Sequence, residues 1–539
     1  MTSPSLGAIV IGAGLGGLAA AVRLQAQGHH VTVVEKRPEL GGRAYQLREG
    51  GYTWDMGPSL ITMPWLLDEL YALAGTTTAA ELTLRPLDPF YRIRWADDPR
   101  HFDFVGDRDR MLAEMAKFSP ADAGRYDEFM AASKAIHEQG ILVAGRQPFL
   151  DPVSFARLLP TMLRLNAIRT LRGFVGQYFD DQRLRMVFDF HSLFIGGDPW
   201  RVPAIYTALS YLQVEDGVWY SDGGVYAIVE SLGRLIRAGG GEVHTGVRVE
   251  AIEHEGSRVT GVRLADGERL AADIVVSNAD ATMTRRRLVQ PHVPDAAPWR
   301  WLRPRHTMSC YLLYLGTNRA FPELRHHTLL VGADYPGFVR QVTRKRRVAD
   351  DLALYVHAPS RTQPSMAANG GESLAILLPV PNLTSGDDWS VRGPELRERV
   401  LDFMERDFGL DGLRESIVVE RSMTPADFKR ELEAPFGNAF ATEPVLWQSA
   451  YFRQPNRDRR LGGLYYVGAG THPGGGIPGV ILGAGVTSDV IAADLRTGRI
   501  APRPGTARRG GARAGEPADH RRVGRDDSDV EAPVPVEAA

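Results

Sequence analysis

Three glycines near the start of the chain, Gly12, Gly14 and Gly17, stand in the spacing G-x-G-x-x-G, and an acid, Glu35, follows eighteen residues after the last. These are residue types that can hold a dinucleotide. The first glycine permits a tight turn, the second lets the backbone approach a pyrophosphate, the third lets a helix pack closely, and the acid bonds a ribose. Ala13 and Gly16 complete the loop, and Lys36 follows the acid. An acid at this place argues against a 2′-phosphate, and so against NADP. A second group, Gly41-Gly42-Arg43, comes next, followed by Asp55-Met56-Gly57-Pro58. A third lies near the other end, in "YYVGAGTHPGGGIPGVILGAG", residues 465–485. Glycine forfeits about 0.5–1 kcal/mol relative to alanine inside a helix or strand. Such density implies that something must approach the backbone closely.

The elements around these residues have to aim them. "AIVIG" reads as a buried strand, "LGGLAAAVRLQAQG" as a helix ending at Gly28, and "VTVVEK" as a second strand. The free N–H groups and positive dipole end of that helix would face the phosphates. In the third cluster "GLYYVGAG" reads as a strand and "GVILGAGVTSDVIAADL" as a helix beginning near Gly479. Gly468, Ala469, Gly479 and Val480 therefore join the candidate binding residues. No acid-terminated strand follows this cluster, so it is not a second dinucleotide fingerprint. The two ends of the chain are expected to be two walls of one site, which requires the chain to leave the nucleotide unit and return. Residues 241–280 alternate like strands joined by tight turns before a last buried strand.

Composition narrows the class. A chain of 539 residues is expected to form two or three domains. A net charge of −2 gives no electrostatic reason to expect nucleic acid as a partner. Cys310 is the sole cysteine, which excludes an intramolecular disulfide and argues against a cysteine-ligated metal. The histidines, among them His29, His30, His191, His326, His327 and His472, show no metal-ligand spacing, so no metal is expected and most read as surface or satisfied positions. No G-x-S-x-G elbow occurs. The apolar N-terminal stretch lacks the basic residues of a secretory signal, and no uninterrupted apolar run of about 18 residues suggests a membrane span.

Residues 7–496 resemble the bacterial-type phytoene desaturases, FAD-dependent carotenoid desaturases of the amine-oxidase-like flavoproteins. The resemblance rests on "GGRAY", "DMGPSLIT", "DPFYRIRW", "FDFHSLFIGGDPW", "DGVWYSDGG", "SNAD", "LYVHAP", "NAFATEPVLWQSAYFRQPNRD" and above all "YYVGAGTHPGGGIPGV". It implies FAD as cofactor, with Gly42 and Arg43 against the pyrophosphate. Met56, Gly57 and Pro58 would run beside the isoalloxazine, and the backbone of Val249 would sit at the adenine end. The helix near Gly479 would stabilise the reduced flavin. The substrates implied are phytoene and later carotene intermediates, each losing a hydride to the flavin and a proton to an acceptor, repeatedly, towards lycopene. Oxygen or a membrane quinone would take the electrons. No side chain is assigned a catalytic role. A carotenoid ketolase or oxygenase and a C30 diapophytoene desaturase share the scaffold and remain alternatives. Amine and protoporphyrinogen oxidases share the FAD motifs without the internal stretches. A flavin-free lipid-binding escort, resembling Rab GDP-dissociation inhibitors, would have lost the glycines that are intact here.

The expected fold class is mixed α/β. A Rossmann-like FAD-binding domain would be assembled from 1–80, 220–300 and 450–496, and a mixed-sheet substrate domain from 81–146 and 301–449. A helical insert, 147–219, would carry the membrane contact. Within 147–179, Phe149, Leu150, Phe155, Leu158, Leu159, Met162, Leu163, Leu165, Ile168, Leu171 and Phe174 interleave with Arg157, Arg164, Arg169 and Arg172. That pattern suits a helix lying in a lipid interface, and the expected location is cytoplasmic, peripheral on the inner face of the cell membrane. The aromatics Phe188, Phe190, Phe194, Trp200, Tyr206, Tyr211 and Trp219 are expected to line a polyene tunnel. From Thr497 the low apolar content predicts a disordered tail.

Overall fold

The computed structural model describes residues 5–291, 293, 304–368 and 370–501. From residue 502 the expected tail lies outside the described residues. Its first residues continue the fold: Thr497 bonds back to Ala493 O and Ile500 is buried.

Five short strands form a parallel sheet in the spatial order Leu464–Tyr466, Ile274–Ser277, Gly7–Ile11, His30–Val34, Glu242–His244. The chain thus visits this sheet three times. Runs such as Ala8-Ile9-Val10-Ile11 and Ile274-Val275-Val276 are apolar on both faces because both faces are covered, as a parallel sheet requires. Helices Leu15–Ala26 and Ile477–Arg496 pack on one face against each other. Small residues allow that approach: Ala19, Ala20, Ala21 and Ala484 are all buried. Helix Ile477–Arg496 is long and apolar enough to cross a membrane, yet 61% of its most apolar window is buried inside the protein.

A seven-stranded mixed sheet forms the second layer system. Its order is Ile417–Met423, Ser309–Thr317, Ser373–Val380, Ala353–His357, His327–Val331, Tyr91–Trp95, Asp98–Phe104. Strand Ser309–Thr317 is buried along its whole length, with neighbours on both sides. Its alternating side chains feed two cores, Tyr311, Leu313 and Leu315 on one face and Cys310, Leu312 and Tyr314 on the other. The smaller sheet Arg269–Ala271, Arg258–Leu264, Val249–Glu255, Val289–Gln290 flanks the parallel one. The mixed α/β class expected from the sequence is the class observed.

The insert divides in two. Helix Pro152–Arg164 carries an inner face, Phe155, Leu158 and Met162, and an outer face with Val153, Leu159 and Leu163 exposed. Ring contacts of Phe155 with Phe149 and Phe452 hold the inner face down. Further on, the expected interfacial run ends. Leu171 and Phe174 are core residues, and Arg172 pairs at 2.8 Å with the buried Asp189. Those positions repeat the apolar–arginine pattern because an arginine can pair inside as well as reach lipid.

Candidate functional site

Parallel strands expose their C-terminal ends to ligands where the strand order reverses. Here Ile11, Val34, Ser277 and Tyr466 each lead into a loop bordering a single cavity of about 540 Å³. The glycine loop leaves the first strand at Gly12, in the left-handed region at φ 91°. Gly12 N–H donates to Val34 O, and Ala13 N–H donates to a Glu35 carboxylate oxygen at 2.8 Å. The other Glu35 oxygen accepts from Arg37 N–H at 3.0 Å, so the acid ties the loop to the second strand and also borders the cavity. A Cβ at Gly17 would collide with the carbonyl oxygen of Gly12. Gly17 is therefore the close-packing glycine.

The second glycine group docks on the first. Gly41 N–H donates to Ala13 O at 2.8 Å, and Gly41 and Gly42 both have positive φ. Gly57 crosses so near the Arg43 carbonyl that no side chain would fit. Met56 O accepts from the Tyr314 hydroxyl at 3.1 Å, which joins this crossing to the seven-stranded sheet. At the far end of the chain, helix Ile477–Arg496 begins two residues before the expected Gly479, because Pro478 suits its first turn. Its N-terminus at Gly476 and that of Leu15–Ala26 at Gly14 have no side-chain cap, and both border the cavity. Two sets of free N–H groups and two positive dipole ends thus converge.

Fifteen of the seventeen residues predicted from the sequence border this cavity: Gly12, Gly14, Gly16, Glu35, Lys36, Gly42, Arg43, Met56, Gly57, Pro58, Val249, Gly468, Ala469, Gly479 and Val480. Ala13 and Gly17 do not, since they act beneath the loop through the contacts just described. Sequence reasoning missed Asn278, Arg248, Arg453 and Glu433, which border it too. Asn278 packs under the loop, where a Cβ on Gly14 would meet its Nδ2 at 2.8 Å. Arg453 is buried and donates to Thr471 O at 2.9 Å and Ala469 O at 2.5 Å, shaping the C-terminal glycine loop. Glu433, at the end of helix Pro425–Leu432, reaches over to Arg248 at 2.6 Å and Lys36 at 3.7 Å. For Asn278 the available signal was "SNAD", a short polar group at the end of a buried strand.

Arg43 decides what the polar end is built for. Its side chain is half-buried: Nε is buried with no hydrogen-bond partner among the described residues, while a terminal nitrogen donates to Asn438 O at 3.5 Å. Burial pushes the guanidinium below its usual range, with Asp280 partly offsetting this. A buried donor left unpaired costs about 1–3 kcal/mol, and an anionic group in the cavity would remove the cost. The donor set fits a pyrophosphate: one arginine, bare glycine backbone and two helix N-termini. The profile of the family described as flavin containing amine oxidoreductase matches residues 15–491. The chain belongs to that family. FAD is accordingly its cofactor, and Gly12, Gly14, Gly42 and Arg43 are the residues that would hold the pyrophosphate.

The flavoenzyme is 41% identical over 488 residues to a phytoene desaturase (lycopene-forming) from Pantoea ananas, covering 90% of this chain and 99% of the relative. It is 39% identical over 495 residues to a phytoene desaturase (neurosporene-forming) from Rhodobacter capsulatus, covering 90% and 93%. Among solved structures it resembles an oxidoreductase from Methanosarcina mazei at 19% identity, with a TM-score of 0.61 over 90% of this chain and 100% of that one. That last likeness concerns the fold.

Beyond Met56–Ser59 the same cavity continues as an apolar chamber. Leu312, Leu329, Val331 and Leu377 come from the seven-stranded sheet, and Phe190 and Phe194 face them from the insert. Of the seven aromatics expected to line a tunnel, Phe190, Phe194 and Tyr206 do so. Phe188 is buried against Phe129 and Phe179 instead. Trp200 packs near Tyr335, Tyr211 against His137, and Trp219 bonds to Asp216 O. An aromatic-rich stretch serves core and tunnel alike, and only the packing separates them.

Proposed function

We propose that this flavoenzyme desaturates phytoene, and then the carotene intermediates it forms, towards lycopene. The observation that carries the reading is the continuity of the cavity: an end built for a dinucleotide opens directly into a chamber lined mainly by aliphatic and aromatic side chains. A hydrocarbon offers no hydrogen bonds, so shape and dispersion must position it. The desaturase relatives, at 39–41% identity over nine-tenths of the chain, support the same substrate class. FAD, when bound, supplies the two-electron sink that side chains lack. The chain's own residues hold the polyene beside it and keep water out. Those tasks fall to Leu312, Leu329, Val331 and Phe194.

The substrate dissolves only in lipid, and the insert offers a surface for it. Val153 (57% exposed), Leu159 (37%), Leu163 (57%) and Ile168 (41%) stand out with Arg157, Arg164 and Arg169 beside them. An apolar face rimmed by arginines suits the headgroup region of a bilayer. We infer a peripheral position on the inner face of the cell membrane, with a membrane quinone or oxygen as electron acceptor. The reading is tested by incubating FAD-loaded protein with phytoene in vesicles under oxygen or quinone and following the extract by absorption and chromatography. Longer-wavelength polyene bands are expected, and unchanged phytoene would sink the reading. Replacing Leu159 and Leu163 together by serine should release the protein from vesicles without altering its flavin spectrum.

A further inference from the structure

Removing two hydrogens from a saturated carbon pair requires a place for the proton, and the apolar chamber is poor in bases. The charged residues that border the cavity, including Glu35, Lys36, Asp280 and Glu433, belong to its glycine-lined end. Among the described residues, no carboxylate or imidazole borders the apolar end. Two hydroxyls there, however, lead out of it. Ser59, two residues past the Gly57 crossing, and Tyr355, on strand Ala353–His357, both border the cavity at the junction of its two ends. Ser59 Oγ lies 2.6 Å from the Tyr355 hydroxyl, which lies 2.7 Å from His327 Nδ1.

His327 is fully buried, and its Nε2 has no partner among the described residues. Register brings it opposite His357, and the two rings stack at 5.0 Å. His326 Nε2 lies 3.3 Å from His357 Nε2, while His326 Nδ1 bonds the Thr362 hydroxyl at 2.6 Å. Packing three imidazoles away from water costs stability wherever a ring nitrogen is left unbonded, as His327 Nε2 and His357 Nδ1 are among the described residues. Burial first, then His326 and His357, hold His327 well below the usual histidine range. It therefore rests neutral, and in the tautomer with its proton on Nε2 the Nδ1 atom can accept from the Tyr355 hydroxyl.

We propose that Ser59, Tyr355 and His327 are the path that takes up the substrate proton. This rests on the desaturase reading. One hydrogen leaves carbon as a hydride, with both its electrons. The other leaves as a proton, and its bonding pair stays as the second bond of the new C=C. Ser59 Oγ receives that proton while passing its own hydrogen to the Tyr355 oxygen. Tyr355 passes its own hydrogen to His327 Nδ1. Both hydroxyls are restored, and one proton rests on the imidazole. A weak base suffices, because the proton next to a developing carbon cation is strongly acidic. The shift runs backwards when a quinone-class acceptor takes up two electrons and two protons, so nothing accumulates.

The test compares wild type, Tyr355→Phe, Ser59→Ala and Thr362→Val in the phytoene vesicle assay, in water and in D₂O. Tyr355→Phe should lower kcat by roughly 10²-fold or more, with KM for phytoene and the FAD spectrum unchanged. Ser59→Ala should follow in the same direction and provides the check should Tyr355→Phe fold poorly. Wild type should slow in D₂O, and the effect should vanish in Tyr355→Phe, which a purely structural role would not produce. Thr362→Val loosens the same histidine cluster off the path and should keep kcat. Wild-type turnover with both hydroxyl variants at wild-type kcat overturns the path alone. Turnover that depends on a divalent ion removable by chelator would also overturn it, reassigning the imidazoles as ligands. Unchanged phytoene with wild type overturns the functional reading and the path with it.

Discussion

The two ends of the cavity are built by opposite means. The glycine-lined end is made of backbone: turns at positive φ, helix N-termini and carbonyls, with side chains excluded where another stretch of chain comes too close. The apolar end is made of side chains gathered from the seven-stranded sheet and the insert. A backbone wall has no slack, since one methyl group displaces main chain. A side-chain wall can repack, because volume-conserving swaps there usually cost less than about 1.5 kcal/mol.

Gly17→Ala should break the first wall with the largest effect. The new Cβ meets the Gly12 carbonyl, whose loop is pinned by Val34 and Glu35. The variant should purify colourless; a yellow Gly17→Ala protein would show that the backbone end has slack after all. Arg43→Met should come next. Hydrogen bonds to charged groups contribute about 1.5–3 kcal/mol, so the FAD Kd should rise by about 10- to 100-fold while the fold is retained. Titration of apoprotein with FAD measures this, and an unchanged Kd would remove Arg43 from the pyrophosphate.

Acid should separate charge-bearing and neutral interiors. Burial pushes His191 and His326 down to about 3 and His472 down to about 4, and holds His327 and His357 well below the ordinary range. Their stabilisation is complete above the unfolded value of about 6.5 and is lost as pH falls towards the folded values, by about 1.4 kcal/mol per pH unit for each group. Asp55 and Asp189, pushed up by burial to about 6 and about 7, oppose this. Their contribution is full below about 3.8 and is lost as pH rises through those values. His29, His101, His137 and His306 are also held down, and Asp216, Glu372 and Glu443 also pushed up. Nine histidines against five acids should make Tm fall between pH 6.5 and 5, and a flat or rising Tm would contradict the neutral-histidine interior. The smallest effect belongs to Leu329→Met in the side-chain wall, which should keep FAD and shift stability by less than about 1.5 kcal/mol. A large loss there would erase the contrast between the two ends.

The contrast also explains what could be read in advance. Gly12, Gly14, Gly42, Arg43 and Gly468 were legible because a backbone site is encoded in short contiguous motifs next to strands. Asn278 and Arg453 were not, since their partners lie far away in sequence: Gly12 for one, Ala469 and Thr471 for the other. The apolar stretch 147–179 was legible as amphipathic, but not where surface gives way to core, because Leu163 and Leu171 carry the same side chain and differ only in what covers them. Spacing gave no hint of the histidine cluster, for His357 joins His326 and His327 only through strand pairing.

By itself, the amino-acid sequence determined that this chain folds a glycine turn between strand and helix, that both chain ends contribute to one dinucleotide site, and that the class is mixed α/β. Local sterics settle those matters, since only glycine tolerates such turns and such approach. Tertiary structure alone decided which aromatics face the cavity, that Arg43 keeps a buried Nε without a partner among the described residues, and that Ser59, Tyr355 and His327 stand in line. Those facts depend on the register of paired strands and on burial, which no short stretch of sequence carries.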